Sequence, residues 1–214
     1  MRDHALPQQT AAARLAASWL LWYPDGTLVA RLDGIAAAVH ELPPRYATPL
    51  LVFLDHLDQT PLRDVQAHYV ATFDMKRKAC PYLTYWTDGD TRNRGRAILR
   101  FKQAYLAAGF DAGTVELADH LAVVLEFAAV GDQLTGGALL AEHSGPIHLL
   151  RDALARLESA YVHVLDAAIA TLPALTPEIK TRMALLAAAG PPAEMVGLEA
   201  YPVSVSIEPF AARR

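Results

Sequence analysis

The polar residues best placed for chemistry are Glu116, Asp119 and His120, in the run Glu116-Leu-Ala-Asp119-His120 directly before the apolar stretch Leu121-Ala-Val-Val-Leu125. A carboxylate beside an imidazole can pass protons as a general acid and base. The same residues also read as the start of a helix, with Asp119 as N-cap and its neighbour facing solvent. Adjacent residues on a helix do not face one another, so the spacing favours the cap over a catalytic dyad.

A second concentration is cationic. Residues 76–102 hold eight of the 19 basic residues (Lys76, Arg77, Lys78, Arg92, Arg94, Arg96, Arg100 and Lys102) against only Asp88 and Asp90, a net +6. The rest of the chain is −10, and no Lys or Arg lies between Lys102 and Arg151. The planar fork of Arg can share two anionic oxygens, so Arg92 and Arg94 could hold a phosphate or pyrophosphate. Spacing favours the plainer alternative, a solvated helix face with pairs such as Asp90 to Arg94, each worth about 0.3–0.5 kcal/mol. An overall charge of −4, without a zinc-finger or helix-turn-helix signature, argues against nucleic acid as a partner.

Other chemistry is missing. No phosphate-binding glycine loop, nucleophile elbow or His-Glu-Xaa-Xaa-His is present, and His143 and His148 are five apart, misaligned on a helix. Cys80 is the only cysteine, which rules out an intramolecular disulfide and disfavours a thiolate metal cage. Three cations near Cys80 could lower its pKa, but an inert, half-buried thiol is the plainer expectation. Composition alone thus supports a binding protein over an enzyme, and no metal is expected.

The elements that must position these residues are helical. The chain has 214 residues, 53% apolar and 20% charged, enough to bury a core. Leu15, Trp19 and Trp22 fall at helical spacing and stop at Pro24; Leu50–Leu57 and Leu62–Phe73 repeat the pattern on either side of Pro61. Further stripes run over Ile98–Tyr105, Leu121–Ala128, Ile147–Leu157 and Val162–Ile169, and a last helix spans about Thr176 to Ala189 before Gly190-Pro-Pro. The expectation is an all-α fold, a single compact unit of about eight to ten helices over residues 1–189. Residues 74–91 read as a loop or short helix. Residues 190–214 read as a Pro-containing tail whose alternation Tyr201-Pro-Val-Ser-Val-Ser-Ile207 could add a strand to a partner. No charge-free run approaches the roughly 20 residues of a membrane span, and the first ten residues lack an apolar signal core. A cytoplasmic protein without membrane insertion is expected.

Several motifs, in order, resemble the NarJ branch of the NarJ/DmsD/TorD chaperones: Leu20-Leu-Trp-Tyr-Pro24, Tyr69-Val-Ala-Thr-Phe73-Asp74, Cys80-Pro-Tyr-Leu-Thr-Tyr85, Gly89-Asp-Thr-Arg-Asn-Arg-Gly95 and Glu116-Leu-Ala-Asp-His120. The last resembles the family's Glu-Xaa-Pro-Asp-His signature, with Ala118 where the family usually has Pro. That change removes a fixed φ and adds an N–H donor. The resemblance covers about residues 10–172.

It implies an all-helical, cytoplasmic chaperone for respiratory nitrate reductase. Such a protein binds the apo catalytic (alpha) subunit, including its N-terminal segment, and keeps it competent for insertion of the molybdenum bis-guanine dinucleotide cofactor. No cofactor is bound permanently, although transfer of that cofactor to the client can be assisted. The positions carried over are Glu116, Asp119 and His120, together with Arg92, Arg94 and Gly95. Tyr82, Tyr85 and Trp86, read as loop residues, are added as groove-lining aromatics that grip the client, whereas Tyr69 and Phe73 are expected in the core. A monomer is expected, with a dimer as the alternative. The competing reading is a small helical enzyme using Asp119 and His120 on a phosphorylated substrate.

Overall fold

A computed structural model describes residues 7–113 and 115–190; the alternating run Tyr201–Ile207 lies outside the described residues. Twelve α-helices form among them: α1 (Pro7–Leu21), α2 (Gly26–Val29), α3 (Leu32–His40), α4 (Pro44–Gln59), α5 (Leu62–Tyr69), α6 (Leu83–Asp88), α7 (Arg92–Ala107), α8 (Leu121–Val130), α9 (Gln133–Glu142), α10 (Ser144–Arg156), α11 (Tyr161–Ala170) and α12 (Pro177–Ala189). A π-helical turn over Val70–Asp74 continues α5, and a 3₁₀ turn occupies Arg77–Ala79. The all-α expectation holds. The helix count exceeds eight to ten because short helices at residues 26–29, 32–40, 83–88 and 133–142 add to the stripes read from the sequence. Among the described residues, no helix is long and apolar enough to cross a membrane.

The centre of the molecule is α8. Its sequence, Leu-Ala-Val-Val-Leu-Glu-Phe-Ala-Ala-Val, is apolar nearly all round, and eight of its ten residues are buried. Such a helix must be covered on several sides. Helices α1 and α9 pack against it, while α11 packs on α1, α4 and α10, and α12 on α10. Small residues permit close approach: α1 turns Ala13, Ala16 and Ala17 inward, and a Cβ on Gly136 of α9 would lie 2.5 Å from the Ala128 Cα. The stripe Leu15–Trp19–Trp22 is therefore only half-buried; the Ala face, next to it on the helix, is the core face. Between α4, α5 and α11, Tyr161 packs on Phe53, Phe73 and Tyr69 with ring centroids 4.8, 5.0 and 5.8 Å apart. Tyr69 and Phe73 are core residues, as expected, each contributing roughly 1.5–3 kcal/mol of apolar burial.

Two polar details lock the helices together. Arg14 on α1 is buried and forms no ion pair among the described residues. Its guanidinium instead donates to the Ala128 carbonyl (3.4 Å), the Thr171 carbonyl (3.3 Å) and the Thr171 hydroxyl (3.3 Å). Those carbonyls close the C-terminal ends of α8 and α11, where the helix dipoles favour a cation. The second detail is the end of α10. Glu158 adopts φ 51°, while the N–H groups of Glu158 and Ser159 bond the carbonyls of Ala155 and Leu154 at 3.1 and 3.0 Å. This is the left-handed C-terminal cap normally given to Gly.

Arg14→Met leaves the two carbonyls without their donor and is expected to lower stability by about 2–4 kcal/mol. Urea unfolding checks it, and an unchanged midpoint would contradict the staple. Glu158→Gly relieves the left-handed strain and is expected to raise stability by about 0.5–1 kcal/mol. The urea midpoint should rise at constant slope.

Candidate functional site

Residues 116–120 lead into the start of α8, and most polar groups of the turn have a partner elsewhere in the fold. The Glu116 carboxylate accepts the Tyr82 hydroxyl proton at 2.6 Å. The Ala118 carbonyl accepts the Tyr105 hydroxyl proton, also at 2.6 Å, so α7 fixes this position where the family places a Pro. Backbone bonds run from Leu83 N–H to the Asp119 carbonyl and from Leu121 N–H to the Pro81 carbonyl, both 3.0 Å. They pair Tyr82 with His120 as an isolated antiparallel bridge.

Asp119 is 0% exposed. One oxygen accepts from the Thr84 N–H (3.2 Å) and the Thr84 hydroxyl (2.6 Å); the other has no partner among the described residues. Thr84 lies in the first turn of α6, whose own N-cap residue, Tyr82, supplies no side-chain cap. Asp119 therefore caps α6 from a distant part of the chain, a role that a carboxylate suits at the positive end of a helix. It does not cap α8, as its position before Leu121 suggests.

The cap of α8 is His120, whose Nδ1 accepts the Ala122 N–H at 3.2 Å. That bond requires an unprotonated Nδ1. The ring is 2% exposed, stacked on Trp22 at 5.8 Å and met edge-on by Tyr82 at 5.2 Å. Burial pushes its pKa down to about 4, against an opposing pull from Asp119. The expectation that His120 faces solvent is corrected, because the rings of Trp22, just past α1, and Tyr82 close over it. Asp119 and His120 are adjacent but shut away from any substrate, each engaged with a different helix. The acid–base alternative has no accessible pair to work with.

The basic segment is reordered too. Arg94 pairs with Asp90 at 3.3 Å, as the spacing suggested, and lies over the rings of Tyr82 and Tyr85 at 5.5 and 5.7 Å. It is thus held within this cluster, while Arg92 is on the surface. Gly95 is exposed, and a Cβ there would meet nothing within 4 Å. Tyr85 and Trp86 are 8% and 6% exposed and belong to α6, not to a loop; the Trp86 indole donates to the Cys80 carbonyl at 3.0 Å. As groove-lining aromatics they are corrected: α6 buries them, and only Tyr82 keeps an accessible edge. Cys80 is half-buried, and burial pushes its thiol up to about 11, the reverse of activation.

Thr84 and Trp22 sit in the motifs at 80–85 and 20–24 and Tyr105 in the stripe 98–105, but nothing in the sequence pairs them with residues 116–120, which they meet through long-range packing. Open surface flanks Glu116 on both sides. One cleft of about 410 Å³ is lined by Trp19, Trp22, Tyr23, Leu28 and Val115 with Asp25, Glu116 and Glu126. Another of about 340 Å³ includes Tyr105, Leu106, Phe110, Glu116 and Leu117. Val115, in the first cleft, is 86% exposed and Leu106, in the second, 78%. Among the described residues, no group of three or more His, Cys, Asp or Glu is placed to hold a metal ion.

Residues 39–167 match the family model described as nitrate reductase delta subunit. The chain is 41% identical over 167 residues to the nitrate reductase-like protein NarX of Mycobacterium tuberculosis H37Rv, a match that takes in 72% of this chain but 23% of that protein. It is 32% identical over 158 residues to NarJ of Bacillus subtilis, named as a nitrate reductase molybdenum cofactor assembly chaperone, covering 73% of this chain and 86% of that one. NarJ of Escherichia coli K12 is also 32% identical, over 70% of this chain and 64% of its own. In fold, the chain is similar to a crystal structure from Archaeoglobus fulgidus described as a redox enzyme maturation protein. The TM-score is 0.57 at 20% identity, over 79% of this chain and 94% of that one.

Because burial favours neutral His120, the folded state binds fewer protons than the unfolded chain between pH 6.5 and about 4. The stabilisation is full above pH 6.5 and is lost as the pH falls through that window, by about 3 kcal/mol for His120. His120→Asn keeps an acceptor near Nδ1 but cannot titrate, so its urea stability should fall less steeply over the same range. Equal slopes for the two proteins would contradict a buried neutral imidazole.

Proposed function

The chain belongs to the nitrate reductase delta subunit family, and from that premise we propose that it is a client-specific chaperone in the maturation of respiratory nitrate reductase. It binds the apo catalytic subunit, including its N-terminal segment, in the cytoplasm. It holds that subunit competent for insertion of the molybdenum bis-guanine dinucleotide cofactor, assists the transfer, and then leaves, acting as a monomer without a resident cofactor and without catalysis.

One observation carries the reading: the family match over residues 39–167 takes in α6, α7 and α8, the helices joined by the 116–120 turn. The NarJ relatives that share this stretch are named as assembly chaperones. The geometry around Glu116 supplies the chemistry of a grip. Aromatic and aliphatic side chains line clefts on both sides of it, and Asp25, Glu116 and Glu126 give one cleft an acidic border. Burial holds the Glu126 carboxyl above its ordinary pKa. Such a surface suits an amphipathic helical segment whose apolar face enters the cleft and whose cations meet the carboxylates. Release after maturation calls for affinity near micromolar, about −8 kcal/mol.

A synthetic peptide of the client's N-terminal segment, titrated against the full chain with tryptophan fluorescence as the readout, should saturate. Trp19 and Trp22 line the cleft and report its occupancy. Val115→Asp with Leu117→Asp places charge on two exposed apolar positions and should weaken binding by about tenfold or more, at unchanged folding stability. Absence of saturable binding to both the peptide and the apo-subunit would contradict the proposal.

A further inference from the structure

A third cleft, of about 400 Å³, opens between α7 and α12 and is lined by Arg96, Arg100 and Arg182, with Asn93 beside them. The three guanidinium groups come from two helices separated by most of the second half of the chain. Their charges are only partly compensated. Both oxygens of Glu142 hold Arg100, at 3.0 and 3.1 Å. Asp88 also borders the cleft, its carboxylate accepting the Thr87 hydroxyl proton at 2.6 Å. Arg96 and Arg182 pair with no carboxylate among the described residues.

Gathering three like charges is unfavourable unless something opposes them. The sequence sharpens the conflict, because the first turn of α7 has no acidic residue and no side-chain cap, yet it holds Arg92 and Arg94, and Arg96 follows directly. Cations at the positive end of a helix cost stability. Arg94 is compensated by Asp90 and two aromatic rings; nothing comparable reaches Arg96. A fold that bears such a local conflict gains from it only when a ligand is present. Guanidinium forks match the paired oxygens of phosphoryl groups, and several forks around one cleft match a linked pair of such groups better than a single one.

We propose that the cleft between α7 and α12 binds a diphosphate-bearing anion, held by the forks of Arg96, Arg100 and Arg182 with the Asn93 amide as a further donor. The incoming anion displaces Glu142 from Arg100, so the site has a built-in counter-ion when empty. Arg92 and Arg94, named from the sequence for this chemistry, are not its ligands. The site stands on its own charges and does not rest on the chaperone reading; loss of client binding would leave it untouched.

Isothermal titration of the full chain with inorganic pyrophosphate, and separately with guanosine diphosphate, tests the site at constant ionic strength. Saturable binding of at least one is expected, weakened by added salt. Arg96→Ala with Arg182→Ala, both exposed and unpaired, should weaken it by about tenfold or more, whereas Arg63→Ala on α5 should leave it unchanged. Tighter binding of the nucleotide would identify a nucleotide diphosphate as the source, and equal or tighter binding of pyrophosphate the free anion; either supports the site. Failure of both ligands to saturate, or equal affinity in the double variant, would overturn it.

Discussion

Asp119 is a carboxylate sealed inside the protein and in no ion pair among the described residues, and such a group must find donors or pull the fold apart. It finds them at the first turn of α6, in the Thr84 N–H and hydroxyl. To bring it there, residues 116–120 must run alongside Pro81–Leu83, which the paired backbone bonds achieve. His120 then falls at the start of α8 and caps it. Tyr82 and Tyr105 fasten the two remaining polar groups of the turn. The burial of one charge thus fixes how α6, α7 and α8 meet, and places Val115, Glu116 and Leu117 at the surface.

This arrangement separates two roles within five residues. Asp119 and His120 are internal and hold helices; Glu116 and its apolar neighbours border two clefts and are available to a partner. A residue type suited to proton transfer is here a cap, because its neighbours satisfy it and exclude water. The charge distribution divides the molecule further. The aromatic clefts around Glu116 carry carboxylates, while the α7–α12 cleft carries guanidinium groups. The acidic and the basic linings thus belong to separate clefts.

Much of this was legible in the sequence. The continuous apolar run of α8 marks a largely buried helix, and Thr176 starts α12 and Gly131 ends α8 where the residue types indicate. The motif order is specific to the family although each piece is weak. The parts not legible share one cause, which is that they depend on a partner far along the chain. Asp119 reads locally as the cap of the helix that follows it, yet it caps one that begins 36 residues earlier. Arg14 sits within an Ala-rich face and gives no local sign that two helix ends converge on it. Tyr85 and Trp86 look like loop aromatics because six residues of helix are too few to show a periodicity. The arginines that share a cleft, Arg96, Arg100 and Arg182, are brought together by the docking of α12, not by spacing.

The proposed role is to hold an immature reductase, with no covalent chemistry. The most direct measurement is the molybdenum content of the catalytic subunit purified from cells that lack the chain, compared with cells supplied with Asp119→Asn or His120→Asn proteins that retain their fold. The reductase should be depleted of molybdenum in the absence of the chain and restored by both variants. Full molybdenum content without the chain, or failure of well-folded variants to restore it, would contradict the account.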